Sequence, residues 1–332
     1  MTNPRHSFNA VVFLLALSLA ASAGAQEWTA PRTADDRPDL QGVWANNNVT
    51  PMQRPEVLGE RTTLTDEEVA ALQARAGELF SDESGDAAFG DSVFAAALAE
   101  AETFSSRDAA TGNYNHFWMV EREWDNRTSL IVDPPNGRLP AQTERARARA
   151  AERAEARARH AWGPEDRSLG ERCITWGAPR LGAGYNSYIQ IFQTPNHVVL
   201  YQEMGGARVI PITTANHVND RVRLWHGDSK ARWEGDTLVI ESQNYSSKVS
   251  MMGAADGLHV EERLTRVSED VIEYEVTMSD PDTWAAPWTA MIPLRSSPDP
   301  VFEYACHEGN IGMDGIMAGA RALERAEAEG GQ

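Results

Sequence analysis

The sequence predicts a mainly β fold, an antiparallel meander that closes into a β-barrel or a curved sandwich, with a helical elaboration ahead of it. Three observations carry this expectation. From Asn186 onward the apolar residues recur at every second position in ten short segments. Turn-forming residues separate these segments, at Pro195-Asn196, Gly205-Gly206, Glu234-Gly235-Asp236, Ser268-Glu269-Asp270 and Ser297-Pro298-Asp299. No helical period intervenes, and an antiparallel sheet of this many strands tends to curl or close.

The first 25 residues have the three regions of a secretory signal peptide: Arg5 and His6, an apolar run from Ala10 to Ala21, then Ser22-Ala23-Gly24-Ala25. The apolar run is too short to span a bilayer, and no later stretch reaches spanning length. The mature chain is therefore expected to be periplasmic or secreted. Its net charge is −19, and removal of Arg5 with the signal makes it one unit more negative. Such a chain repels nucleic acid and anionic membrane, while a neutral aromatic ligand would not feel the excess. Two cysteines, Cys173 and Cys306, read most simply in an exported protein as one disulfide, the alternative being two buried thiols. With no CxxC and no short Cys/His spacing, a cysteine-based metal site is disfavoured.

Residues 26–185 are expected to form an arm and the helical elaboration, 186–310 the β core and 311–332 a helical tail. Pro31 to Trp44 reads as extended. Thr65-Asp66-Glu67-Glu68 writes a capping box, and Val69, Leu72, Ala76 and Leu79 follow at helical spacing, so a helix is expected from Asp66 to about Phe80. A short helix is expected from Ser92 to Glu102, and a longer one from Glu144 to about Trp162, capped by Thr143. The six arginines of that longer helix read as a solvated face rather than a binding patch. The expected strands are Tyr188–Gln193, His197–Met204, Ala207–Ile212, Arg221–Trp225, Lys230–Trp233, Thr237–Ser242, Leu258–Val267, Val271–Met278, Trp288–Leu294 and Val301–Cys306. A last helix is expected from Ile311 to Glu329.

Strand parity sorts the polar groups. The face Leu258, Val260, Glu262, Leu264 and its partner Ile272, Tyr274, Val276, Met278 are apolar except for one carboxylate and one phenol. Glu262 there needs a partner, or it is a site with a raised proton affinity; burial against an arginine is the plainer alternative. On the strand from His197, the set His197, Tyr201 and Glu203 lines either a cavity or the solvent face. In the last strand Phe302, Tyr304, Cys306 and Glu308 form the expected core row, with His307 beside Glu308 as an acid/base pair or a strand-end cap. His226, in Trp225-His226-Gly227-Asp228, sits at a rim, as a turn residue or as a proton-transfer group. His116 and Trp118, with Tyr185, Asn186 and Tyr188, place aromatics and amides in loop contexts where ligand walls are often built. Trp284 and Trp288 either stack on a planar ligand or fill the core.

Two resemblances follow from motifs. Gly42-Val43-Trp44 resembles the Gly-x-Trp opening of lipocalin-like barrels, in which the tryptophan closes the barrel floor. Arg127-Thr128-Ser129-Leu130-Ile131-Val132-Asp133-Pro134-Pro135-Asn136-Gly137-Arg138, Glu165 to Cys173, Trp233 to Val239 and Tyr304 to Asn310 resemble a family of exported bacterial β-rich proteins usually labelled hypothetical. That resemblance implies no activity and transfers no catalytic residue. It implies only a lean toward breakdown of plant-derived or aromatic compounds.

Gly-x-Gly-x-x-Gly after a strand, a P-loop, a Gly-x-Ser-x-Gly elbow and His-Glu-x-x-His are all missing, which disfavours nucleotide, flavin, phosphoryl-transfer and serine-hydrolase chemistry. Nothing in the spacing of His116, His197, His226 and His307 recommends a metal site. The leading expectation is a cofactor-independent lyase or isomerase acting on a small, largely apolar, aromatic molecule inside the barrel. Glu262, then Glu203 or Glu308, would move the proton. Tyr201 or Tyr274 would hydrogen-bond an oxyanion, and His226 or His307 would exchange protons at the mouth. The alternative is a lipocalin-like carrier that binds an apolar small molecule without altering it.

Overall fold

The computed structural model describes residues 28–81, 86–105, 122–183, 185, 187–249 and 251–330. The signal-like segment, His116, Trp118 and Asn186 lie outside the described residues. One antiparallel sheet organises the chain. Its strands are β1 (Gly42–Ala45), β2 (Ile131–Asp133), β3 (Tyr188–Gln193), β4 (His197–Gln202), β5 (Gly206–Pro211), β6 (Asp228–Glu234), β7 (Thr237–Gln243), β8 (His259–Arg266), β9 (Val271–Ser279) and β10 (Trp288–Ser297). They lie in the order β5-β4-β3-β1-β10-β9-β8-β7-β6, with β2 added onto β10.

The expected meander is therefore present, but it is cut once and the barrel is not closed. β1 slides between β3 and β10, pairing Trp44 with Ile189 on one side and Ser296 on the other. Edge strands β5 and β6 share no ladder among the described residues; just past β5, Ile212 forms an isolated parallel bridge with Ala231, and Thr213 N–H donates to the Ala231 carbonyl at 3.1 Å. The closing strand expected over Arg221–Trp225 does not form. Asn219 captures this backbone instead, its side chain accepting from Arg221 N–H at 3.0 Å and its carbonyl from Val222 N–H at 2.9 Å. The strand expected over Val301–Cys306 is likewise irregular, since Pro298 and Pro300 remove ladder donors and lead the chain off the sheet.

The interior of the curl holds the main core, from Leu40 and Trp44 through Ile240, Val260 and Tyr274 to Trp288 and Leu294. Trp44 donates its indole N–H to the Leu40 carbonyl at 2.9 Å, and Arg266 lies over its ring, 5.3 Å from the centroid. Leu40, Trp44, Leu130 and Ile131 belong to this core, so the division expected at residue 185 is crossed by β1 and β2.

Helix α1 (Asp66–Leu79) has the expected capping box, with Thr65 and Glu68 bonded reciprocally. It packs with α2 (Asp91–Leu98) over a second core of Leu58, Leu64, Leu72, Phe80, Val93 and Phe94. α3 (Glu144–Ala158) starts at Thr143, whose hydroxyl accepts from Ala146 N–H at 3.1 Å. α3 is fixed to the turn after β9: Arg149 donates to Thr283 Oγ1 at 2.7 Å, and Arg145 pairs with Asp282 at 2.5 Å. α4 (Gly312–Gly330) rests against the end of the α3 segment, where Arg321 donates to the Ala161 carbonyl at 2.7 Å. Among the described residues no helix is long and apolar enough to cross a membrane. Cys173 and Cys306 are disulfide-bonded, as the composition suggested.

Candidate functional site

Glu262 is fully buried, and the plainer alternative holds for it. Arg208, projecting inward from β5, crosses the curl and donates to both carboxylate oxygens, at 2.8, 2.8 and 3.0 Å. The Tyr274 hydroxyl donates to the same carboxylate. Burial pushes the Tyr274 phenol well above its ordinary value, and the Glu262 charge pushes the same way. Burial pulls Arg208 down, but the charges of Glu262, Tyr274 and Tyr245 outweigh it and hold the guanidinium above its usual range. The group ties edge strand β5 to β8 and β9 through the interior, which keeps the open sheet curled. Glu262 lines neither of the two cavities described below, and its partners are Arg208 and Tyr274.

Several other expected positions are corrected by parity. In β4 the inward residues are Val198, Leu200 and Gln202, which puts His197 and Tyr201 on the outer face. Glu203 lies beyond the strand end, close enough to Arg180 and Tyr188 for its charge to act on both. Phe302 is 71% exposed, and His307 and Glu308 are exposed too, because their strand is absent. Trp288 fills the core, edge-on to Trp284 at 5.5 Å. Tyr185 packs its ring edge against Phe89 at 5.4 Å, and Tyr188 opens β3 half-buried.

The main cavity, about 850 Å³, lies where α3 and the segment 163–182 face the β7–β8 connection. Its apolar wall comes from Trp176, Leu169, Leu181, Val249, Met251 and Met278. Its polar wall is cationic: Arg153 and Arg157 from α3, Arg167, Arg172 and Arg180 from the segment, and Lys248 from the β7–β8 connection. Three carboxylates share the lining, Asp91, Glu165 and Asp166. Asp166 is taken by Arg159 at 3.1 Å and Glu165 by Arg172 at 3.4 Å, while Arg167 pairs with Glu171 at 2.5 Å. Arg157, Arg180 and Lys248 make no ion pair among the described residues. Burial holds the Arg153 guanidinium below its ordinary value, and the like charges of Arg149 and Arg157 add to it. Burial lowers Arg180 as well, opposed by Glu203 and Tyr304.

The wall carrying Trp176 is held at both ends. Cys173 is bonded to Cys306, while Thr175 Oγ1 accepts from Gly177 N–H at 2.9 Å and meets His226 Nε2 at 2.7 Å. Burial, then the Arg208 charge, holds the His226 imidazole below its ordinary value, so near neutral pH it is uncharged and Nε2 can accept the threonine proton. His226, an expected site residue, is thus bonded to a residue lining this cavity.

Sequence reasoning missed Arg153, Arg157, Trp176, Arg180 and Lys248. A signal was present in α3, where Arg149, Arg153 and Arg157 recur every fourth residue and share one helix face. A smaller cavity of about 320 Å³ lies between Thr33, Gln41, Gln193 and Trp233. Among the described residues no three His, Cys, Asp or Glu side chains gather as a metal site. Searched against protein-family models, curated proteins and solved structures, the chain matches none.

Proposed function

We propose that this is an exported protein that binds a small organic anion in the cleft between α3 and segment 163–182, as a carrier or sequestering protein. One observation carries the reading. In a chain of net charge −19, Arg157 and Lys248 line one part-apolar cavity without an ion-pair partner among the described residues, beside Arg180, which makes no ion pair there and is offset only by the nearby charge of Glu203. Arg180 is half-buried, whereas Arg157 and Lys248 are exposed; cations gathered around one cleft repel one another, and an anionic ligand with an apolar body relieves that repulsion while covering the apolar wall. The disulfide supports export. Guanidinium groups do not exchange protons near neutral pH, which favours binding over turnover.

Calorimetric titration of the mature protein with small carboxylic acids and their neutral amides tests this. The carboxylates should bind, more weakly at high salt, and the amides should not. Equal binding of acid and amide would refute the anion reading. A second reading, acid/base turnover of the same ligand, rests on His226, whose imidazole stands behind the cleft wall at Thr175. Loss of ligand mass on incubation, abolished by His226→Gln, would establish it.

A further inference from the structure

We propose that the cleft selects a planar aromatic carboxylate, and that Gly170 and Trp176 are the residues that make the selection. The inference rests on the anion-binding reading and names the ligand class of that same site. Trp176 lines the cavity and is 46% exposed as a residue, although indole rings are ordinarily buried where a core can take them. One face of the ring lies flat on Gly170. A methyl group at Gly170 would stand 2.8 Å from Cδ2, 2.8 Å from Cε3 and 2.9 Å from Cε2, three atoms of one ring face at nearly equal distance. The backbone of residue 170 thus covers that face at contact distance only because it carries no side chain.

The accessible part of the indole is therefore its opposite face and outer edge, turned to the cleft. The Arg180 guanidinium lies over the ring, 6.0 Å from its centroid, and the Gly170 face has no room for it. An aromatic ring stacked on the face opposite Gly170 would displace the guanidinium from over the indole, leaving a carboxylate on the ring's rim beside this cation. The platform is held in advance of the ligand by the disulfide at Cys173, by Ile174 N–H donating to the Leu169 carbonyl at 2.9 Å, and by the Thr175 bonds. A rigid aromatic surface rewards stacking, whereas a purely apolar wall would favour the bulkier saturated ring.

Benzoate and cyclohexanecarboxylate separate these cases, since both are ionised at neutral pH and have the same number of heavy atoms. The wild-type protein should bind benzoate about three- to tenfold more tightly, the range that aromatic pairing adds beyond area. In Gly170→Ala, whose new methyl must push the indole aside, and in Trp176→Leu, that ratio should fall to about one. Retention of the thermal unfolding transition checks that each variant folds. If wild type binds both acids equally, or the variants keep the preference, the aromatic selection is wrong while anion binding stands. If wild type binds neither acid, the anion-binding reading fails and takes this inference with it.

Discussion

Glu262→Gln is expected to destabilise the fold by about 3–5 kcal/mol, the cost of breaking a buried ion pair from one side. The figure follows from the geometry. Arg208 and Glu262 are 4% and 0% exposed, and three N–O contacts between 2.8 and 3.0 Å join them. At an effective dielectric constant of about 20, unit charges about 4 Å apart interact by about 4 kcal/mol, and glutamine forfeits that attraction while leaving the guanidinium inside. The amide keeps the side chain's shape, so cavity formation contributes little. Urea unfolding should show the midpoint falling with the slope unchanged. The double variant Arg208→Met with Glu262→Leu should lose less than Glu262→Gln alone, because no unpaired charge remains. Binding in the cleft should survive Glu262→Gln at temperatures where the variant is folded. A variant as stable as wild type yet unable to bind or turn over ligand would refute the structural assignment of Glu262.

Two other perturbations have defined outcomes. Replacing both cysteines by serine opens a link across 133 residues of sequence, and chain entropy sets the loss at about 4–5 kcal/mol, measurable by urea unfolding under non-reducing conditions. His226 gives a pH signature. Its folded-state proton affinity is depressed, so below about pH 6.5 the unfolded chain binds more protons than the folded one, and stability falls as pH drops through that region. His226→Gln should flatten that decline in unfolding curves taken between pH 7 and pH 5, and an equally steep decline in the variant would contradict it.

Local signals made much of the sheet legible. Tyr188–Gln193 was expected to the residue, and the hairpin of β8 and β9 has the anticipated facing of Val260, Glu262 and Leu264 against Tyr274 and Val276. Period two fixes which residues share a face, but not which face is inside when both are mixed, and β4 shows this: Val198 and Leu200 turn inward and carry His197 and Tyr201 out. Strand insertion is nonlocal, so nothing near Gly42 says that β1 will part β3 from β10. Closure failed for a local reason. The apolar rhythm of Arg221–Trp225 lost to turn bonds at Asn219, and an Arg208–Glu262 bridge across the interior does part of the work that a closed ladder would do. The cleft was the least legible feature. Its cations come from α3, from segment 163–182 and from the β7–β8 connection, and the Arg153 and Arg157 stripe differs from a solvated face only through what folds opposite it.

A crystal of the protein soaked in 4-bromobenzoate tests the central claim most directly, because anomalous scattering from bromine marks the ligand without assumptions about its pose. The account predicts one dominant bromine peak in the cleft, with the ring against the face of Trp176 opposite Gly170 and the carboxylate toward Arg180. A cleft left empty at saturating ligand, or a dominant peak in the smaller cavity beside Trp233, would contradict it.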